Sequence, residues 1–243
     1  MPISIIDINQ ISENEYSKFR ELIYKNTGIF LKDTKLEMIN SRLLKRLKTL
    51  EFKSFGDYYD YLVNIDDGTE LMEMINSVTT NKTDFFREIN HFEFMKNILL
   101  PRLKEECYRA GRLNIRIWSA ACSTGEEPYT INMVLKEYFK NNTGWDLKIL
   151  ASDLDTNVLQ KACDGIYTTQ QAMGIPMELL KEYFYKGEGA TKGFFKVKDK
   201  LKSDIVFKKI NLIEDEYPIK TPLDIIFCRN VFIYFDQKTI NSI

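Results

Sequence analysis

The run Trp118-Ser119-Ala120-Ala121-Cys122-Ser123-Thr124-Gly125-Glu126-Glu127-Pro128-Tyr129 joins an apolar β-type stretch, Leu113 to Ile117, to a helix-like stretch, Thr130 to Phe139. A strand, a turn of small side chains and a helix start form the usual cradle of a nucleotide-type cofactor. Small side chains let a ligand reach the backbone, and the helix start offers N–H groups with no partner inside the helix. This turn has one glycine where a dinucleotide fingerprint has three, and it carries two carboxylates. Those carboxylates repel a pyrophosphate and suit a cation. S-Adenosylmethionine, with a sulfonium, an amino group and no phosphate, fits the turn better than NAD, which disfavours a dehydrogenase.

Further polar residues stand where such a fold places its ligand contacts. Asp153 closes a second apolar run in Leu150-Ala151-Ser152-Asp153-Leu154-Asp155, where an acidic residue commonly accepts ribose hydroxyls. Asp155 reads instead as the cap of a helix beginning near Thr156. Asn211-Leu212 follows a third run and suits the edge and face of an adenine; the other reading is an Asn in a turn. Arg229-Asn230 follows the fourth run and points at the crevice outside the strand ends, with Asn230 placed for the amino-acid part of the cofactor. Tyr234 lies a turn further on, near the methyl group or as an amphipathic core aromatic. Thr79 to Glu88 is a polar cluster leading into Phe85-Phe86-Arg87, consistent with a loop and helix folding over the ligand. Arg87 is suited to a bidentate carboxylate contact or to an ordinary surface ion pair.

The elements that position these residues fall into two parts. Residues up to about 75 carry only helical signals. Ser12-Glu13-Asn14-Glu15 is a capping box, and Thr27-Gly28 ends the helix it opens. Asp33 is placed to cap a second helix that buries Leu36, Ile39, Leu43, Leu44 and Leu47. The opposite side of that helix carries Lys35, Arg42, Lys45, Arg46 and Lys48, a solvated face or a dock for an acidic partner helix. Ser54 to Val63 and Thr69 to Val78 make two more helices. Beyond about 113, β-type runs at Leu113–Trp118, Leu147–Ala151, Ile205–Phe207 and Leu223–Phe227 alternate with helical stretches at first. That alternation predicts a mostly parallel, Rossmann-like α/β sheet. Between about 165 and 203, the glycines 187, 189 and 193 and the run Phe194-Phe195-Lys196-Val197 predict a small β insertion. The division is a helical domain over 1–78 and a cofactor-binding domain over 79–243. The pattern stops soon after the fourth run, so the last strands of such a sheet are expected to be missing and the fourth to be an exposed edge.

Bulk properties exclude several classes. The formal net charge of −1 offers no broad surface for nucleic acid. One histidine, His91, rules out a multi-His metal centre, and no metal site is expected; His91 itself reads as structural, between the domains. The four cysteines are scattered and fit small buried hydrophobes in a reducing compartment. Met1 to Gln10 lacks the features of a secretory signal, and no apolar run reaches membrane-spanning length. The expectation is a soluble cytoplasmic protein.

In order and spacing, these motifs resemble the CheR family, the chemotaxis-receptor glutamate methyltransferases. The resemblance is carried by Asn81-x-Thr83-x-Phe85-Phe86-Arg87-Glu88, the run from Trp118 to Tyr129, Ala151-Ser152-Asp153-x-Asp155-Thr156, Gly165-x-Tyr167, Asn211-Leu212, and Phe227-Cys228-Arg229-Asn230-Val231-x-Ile233-Tyr234-Phe235-Asp236. It extends to the helical part through Leu22-Ile23-Tyr24, Gly28-Ile29, Arg42-Leu43 and Arg46-Leu47. The resemblance implies an S-adenosylmethionine-dependent enzyme that esterifies glutamates on receptor helices and releases S-adenosylhomocysteine. It implies a cofactor site of Asn81, Thr83, Arg87, Glu127, Asp153, Asn211, Leu212, Arg229 and Asn230, with Arg87 and Tyr234 nearest the transferred methyl. The choice of Glu127 over Glu126 stays open. The glycine-rich insertion resembles a β-subdomain that in some members grips a tethering peptide at the receptor's end. The implied partners are chemoreceptor cytoplasmic helices, with the chain acting as a monomer. Competing readings are a methyltransferase for nucleic acid or small molecules, and a non-catalytic S-adenosylmethionine-binding signalling module.

Overall fold

The computed structural model describes residues 10–243; the expectation for the first residues, before Gln10, lies outside this range. The chain divides into two compact units. One consists of Met1–Thr80 with Asn211–Asp215 and Asn230–Ile243, the other of Asn81–Ile210 with Glu216–Arg229. Among the described residues no helix is long and apolar enough to cross a membrane.

The first unit is helical. Helix α1 (Glu13–Thr27) opens on the predicted box: Ser12 Oγ accepts the Glu15 N–H, and the Glu15 carboxylate accepts the Ser12 N–H. It stops at Gly28, which takes the left-handed conformation. Asp33 does not cap the next helix. Asp33–Lys35 forms a 3-10 turn, the Asp33 carboxylate pairs with Arg20 at 2.9 Å, and α2 (Leu36–Thr49) starts without a side-chain cap. Ser54 caps α3 (Phe55–Asn64), and α4 (Thr69–Val78) follows. Phe19, Ile23, Ile39, Leu43, Leu47, Tyr58 and Met74 are fully buried between these helices.

Two of the five cations expected on the free face of α2 are committed within the unit. Arg42 donates to the carbonyls of Val78 and Thr79 at 2.6 and 2.7 Å. Arg46 pairs with the buried Glu70 carboxylate, which also accepts the Tyr58 hydroxyl at 2.6 Å. Lys35, Lys45 and Lys48 remain exposed. The returning segments close the unit: Phe30 N–H donates to Tyr234 O at 2.8 Å, the Tyr24 hydroxyl to Asp236, and Ile29 bridges Phe235.

The second unit is the α/β part. It begins with a helical stretch that the sequence pattern did not announce: α5 (Asn90–Phe94), a π turn over Met95–Leu99, and α6 (Leu100–Arg109). Pro101, lacking an N–H, sits at the start of α6 directly after the π turn, whose wider spacing makes room for it in the continuous helix. Then come β1 (Asn114–Ala120), α7 (Glu126–Phe139), β2 (Asp146–Asp153) and α8 (Thr156–Asp164). The insertion follows as β3 (Ile166–Thr168), α9 (Thr169–Ala172), α10 (Met177–Tyr183), β4 (Phe184–Lys186), β5 (Phe194–Val197) and α11 (Asp199–Lys202). Its three strands form an antiparallel sheet in the order β3-β5-β4.

The last strands are β6 (Ile205–Lys209) and β7 (Ile225–Phe227). The main sheet is parallel throughout, in the order β6-β2-β1-β7. From β1 the chain winds outward through β2 to β6, then returns to the other side of β1. The order therefore reverses between β1 and β7, and the carboxyl ends there flank a crevice. Among the described residues β7 pairs only with β1, and Ile226 is exposed. Ile115, Ile117, Ile149 and Ala151 of the strands are buried, as is most of α7.

Candidate cofactor site

The loop after β1 is a turn of alternating backbone hand. Ala121, Ser123 and Gly125 have φ of 56, 50 and 95°. For the two non-glycine residues this conformation carries a cost, and such costs gather at functional loops. The surroundings enforce it. Cys122 N–H donates to Ser152 O and Ser123 N–H to Asp153 Oδ2, both at 2.8 Å, and the Tyr167 hydroxyl donates to Thr124 O at 2.7 Å. Gly125 admits no side chain: a Cβ there would lie 2.8 Å from Ala162 Cβ and 2.9 Å from Tyr167 Oη.

The neighbours Glu126 and Glu127 open α7, where a negative charge suits the helix dipole. They face different groups. Both oxygens of Glu126 are occupied, by the Thr124 hydroxyl at 2.6 Å and by Gln171 Nε2 at 3.3 Å. Glu127 accepts the Ser119 hydroxyl at 2.7 Å and Arg229 Nη1 at 3.1 Å. Burial pushes both carboxyls above the usual range; Ser119 and Arg229 draw Glu127 partly back. Glu126 thus ties the loop to the insertion, and Glu127 ties the end of β1 to the end of β7.

Asp153 ends β2 with its carboxylate turned back on the backbone, accepting N–H groups of Ser123 and Asp155 at 2.8 and 3.0 Å. Burial outweighs these bonds and pushes its carboxyl up to about 6. Asp155 caps α8 as expected, accepting from Asn157 and Val158. Its other oxygen accepts Asn81 Nδ2 at 2.7 Å, and Asn81 O receives the Ser123 hydroxyl. The three strand-end residues and Asn81 therefore form one bonded set.

Phe86 and Glu88, both at φ 56°, bracket Arg87. This turns the Arg87 carbonyl to Arg229 Nη2, at 2.5 Å. The Arg87 guanidinium donates to Lys82 O at 2.7 Å. Phe85 is buried edge-on against Tyr167, and Thr83 is half-buried. Arg229 lies over the Phe92 ring, and its Nε is buried with no acceptor. His91 is 53% exposed, with Nδ1 3.4 Å from Glu88.

Asn211, Leu212, Asn230 and Tyr234 belong to the helical unit. Asn211 donates to Asn26 O at 2.7 Å, and its Oδ1 lies 3.4 Å from Ile213 N, so it does occupy a turn. Leu212 is buried, Asn230 has φ 57°, and Tyr234 is half-buried. Ser119 and Glu88 bond to Glu127 and Arg229 respectively, and sequence reasoning gave them no role. The small residue closing an apolar strand was the available signal for Ser119; Glu88 had none beyond its neighbour Arg87. Cys107 and Cys122 are buried, Cys163 and Cys228 half-buried, and all four are free thiols. Among the described residues no group of three or more His, Cys, Asp or Glu is placed to hold a metal ion.

A parallel sheet with its reversal at β1 and β7, and a small-residue loop flanked by acids, defines a nucleotide-cofactor fold whose cradle suits a cation. Residues 81–243 match the family described as CheR methyltransferase, SAM binding domain, and residues 14–79 match its all-alpha domain. The chemotaxis protein methyltransferase of Borreliella burgdorferi is 42% identical over 239 residues, covering 98% of this chain and 83% of its own. That of Escherichia coli is 39% identical over 234 residues, covering 96% and 78%. Chemotaxis protein methyltransferase 2 of Pseudomonas aeruginosa is 38% identical over 228 residues, covering 94% and 78%. The chain belongs to the CheR methyltransferase family and is an S-adenosylmethionine-dependent methyltransferase. Its residues fit that cofactor: buried carboxylates suit the ammonium and sulfonium, and the unmatched Arg229 Nε suits a carboxylate.

Proposed function

We propose that this chain transfers the methyl group of S-adenosylmethionine to glutamate side chains on the cytoplasmic helices of chemoreceptors, for chemotactic adaptation. The products are glutamate methyl esters and S-adenosylhomocysteine. The relatives' name, chemotaxis protein methyltransferase, supports the receptor as substrate. The observation that carries the choice of a carboxylate is the buried Glu127 paired with Arg229, while the chain's one imidazole is exposed. A glutamate is already ionised at neutral pH and needs no general base to act as nucleophile.

The bound cofactor supplies an electrophilic methyl on a sulfonium that leaves as a neutral thioether. The protein's task is to hold the carboxylate in line with that methyl and keep water away. Asn81, Thr83, Arg87, Glu127, Asp153, Asn211, Leu212, Arg229 and Asn230 line the cofactor in this reading. Asp153 receives the ribose hydroxyls, and Glu127 takes the cationic end, because it joins the ends of β1 and β7 whereas Glu126 is bonded to the insertion through Gln171. Arg87 positions the substrate carboxylate, and the Tyr234 hydroxyl directs one oxygen at the methyl.

The functional division is a helical domain over 1–78 and a methyltransferase domain over 79–243, with the insertion at about 165–203. The exposed lysines Lys35, Lys45 and Lys48 meet the acidic receptor bundle. The insertion receives a receptor tether peptide where the receptor has one. The enzyme acts as a cytoplasmic monomer.

Mass spectrometry of a receptor signalling fragment, after incubation with this chain and S-adenosylmethionine, tests the proposal. A base-labile gain of one methyl on glutamate is the expected result. Methylation confined to another residue type, or to nucleic acid or a small molecule, overturns it.

A further inference from the structure

The Arg229 guanidinium is shared between two unequal carboxylates. Nη1 donates to Glu127 Oε2 and Nη2 to Glu88 Oε2, each at 3.1 Å. Glu127 is buried, with its other oxygen on the Ser119 hydroxyl. Glu88 is 43% exposed, on a left-handed backbone, with Arg87 Nε at 4.0 Å and His91 Nδ1 at 3.4 Å. Arg87, Arg229, Glu88 and Glu127 together are electrically balanced. Without Glu88 the group would carry a net positive charge, and Arg229 would commit its charge to Glu127 alone.

S-Adenosylmethionine and S-adenosylhomocysteine differ by one methyl and one positive charge. Every contact to the adenosine and amino-acid parts is available to both, so shape separates them poorly and charge separates them well. We propose that Glu88 is a specificity-determining residue that favours the cationic cofactor over its neutral product. By taking part of the Arg229 charge, it leaves negative charge on Glu127 for the sulfonium form and disfavours retention of the thioether. This inference rests on the reading of Glu127 and Arg229 as cofactor-site residues.

Glu88→Gln tests the charge while keeping the length of the side chain, the oxygen facing Arg229 and the β-carbon on the left-handed backbone. The measurement is calorimetric affinity for both ligands in wild type, Glu88→Gln, Glu88→Asp and Glu127→Gln. Glu88→Gln should lower the ratio of cofactor to product affinity about threefold, a modest figure because the carboxylate is partly in water. Glu88→Asp should hold the wild-type ratio, and high salt should narrow the difference between wild type and Glu88→Gln. Equal weakening of both ligands makes Glu88 a structural residue and overturns the proposal, as does an unchanged ratio. Should Glu127→Gln leave both affinities untouched, the underlying site assignment fails and takes this proposal with it. A weakened Glu127→Gln beside an unchanged ratio in Glu88→Gln removes only the role of Glu88.

Discussion

Raising the pH through 6 should weaken the cofactor-free fold through Asp153 and strengthen cofactor binding through the same group. Asp153 is 8% exposed, and among the described residues no ion pair offsets its charge; it accepts the backbone N–H groups of Ser123 and Asp155. Burial places its carboxyl at about 6, against an ordinary 3.8. A carboxyl whose folded value lies above its unfolded one adds stability at low pH. That contribution is whole below about pH 4 and is lost as pH rises through about 6. The gap of about 2 pH units corresponds to about 3 kcal/mol. Ribose hydroxyls donating to the ionised form oppose this loss, so the cofactor should bind best where Asp153 is a carboxylate. With a value near 6, about one molecule in ten is ionised at about pH 5 and about nine in ten at about pH 7. The dissociation constant for S-adenosylhomocysteine should therefore rise about tenfold from about pH 7 to about pH 5. Titration calorimetry in two buffers of different ionisation enthalpy should show nearly one proton released per ligand at the acid end. Glu126 and Glu127 are also raised by burial, so Asp153→Asn supplies the discrimination. An affinity that stays flat across this range, or a slope that survives in Asp153→Asn, refutes the reasoning.

In the helical unit, Arg46→Ala leaves the Glu70 carboxylate buried without its cation and should cost about 3 kcal/mol in urea unfolding; a loss well under 1 kcal/mol contradicts it. Gly125→Ala meets both a left-handed backbone and contacts under 3 Å, and should cost about 2 kcal/mol or more and weaken cofactor binding. Wild-type melting and affinity would show that the loop has room it does not display. Tyr234→Phe should lower turnover about tenfold at saturating cofactor, and unchanged turnover removes the proposed role of its hydroxyl.

Signals confined to one turn of chain were legible in the amino-acid sequence. Ser12 with Glu15 and Asp155 cap the helices expected of them, because capping is settled within three residues. The β-type runs became parallel strands with ends displaced by a few residues. Failures came where a distant partner decided the outcome. Asp33 left its capping role for Arg20, thirteen residues earlier. Arg42 and Arg46 left the solvated face for acceptors more than twenty residues away. The helical stretch from Asn90 to Arg109 was hidden by its mixed composition and by Pro101, which reads as a breaker unless its place directly after a π turn is known. Residue types at the site were legible; their division of labour was not. Glu126 and Glu127 are indistinguishable as letters, yet adjacent helical positions point about 100° apart and so meet different elements. The pairing of Glu88 with Arg229 spans 141 residues and leaves no trace in local pattern.

The hold of the inserted segment on the β1 loop limits how this enzyme can be recombined with its relatives. Tyr167 and Gln171 bond the loop itself, and a Cβ on Gly174 would come within 2.9 Å of the Phe85 carbonyl. A chimera cut at the ends of the insertion, near 165 and 203, would import foreign partners for Thr124, Glu126 and Phe85. The graft would then disturb methyl-donor binding even if the donor segment folded well. Phe184 must stay with the host too, since its ring packs edge-on against Phe85. The exchangeable cassette is the turn between β4 and β5, from Glu188 to Lys192, whose exposed side chains can vary without reaching the loop.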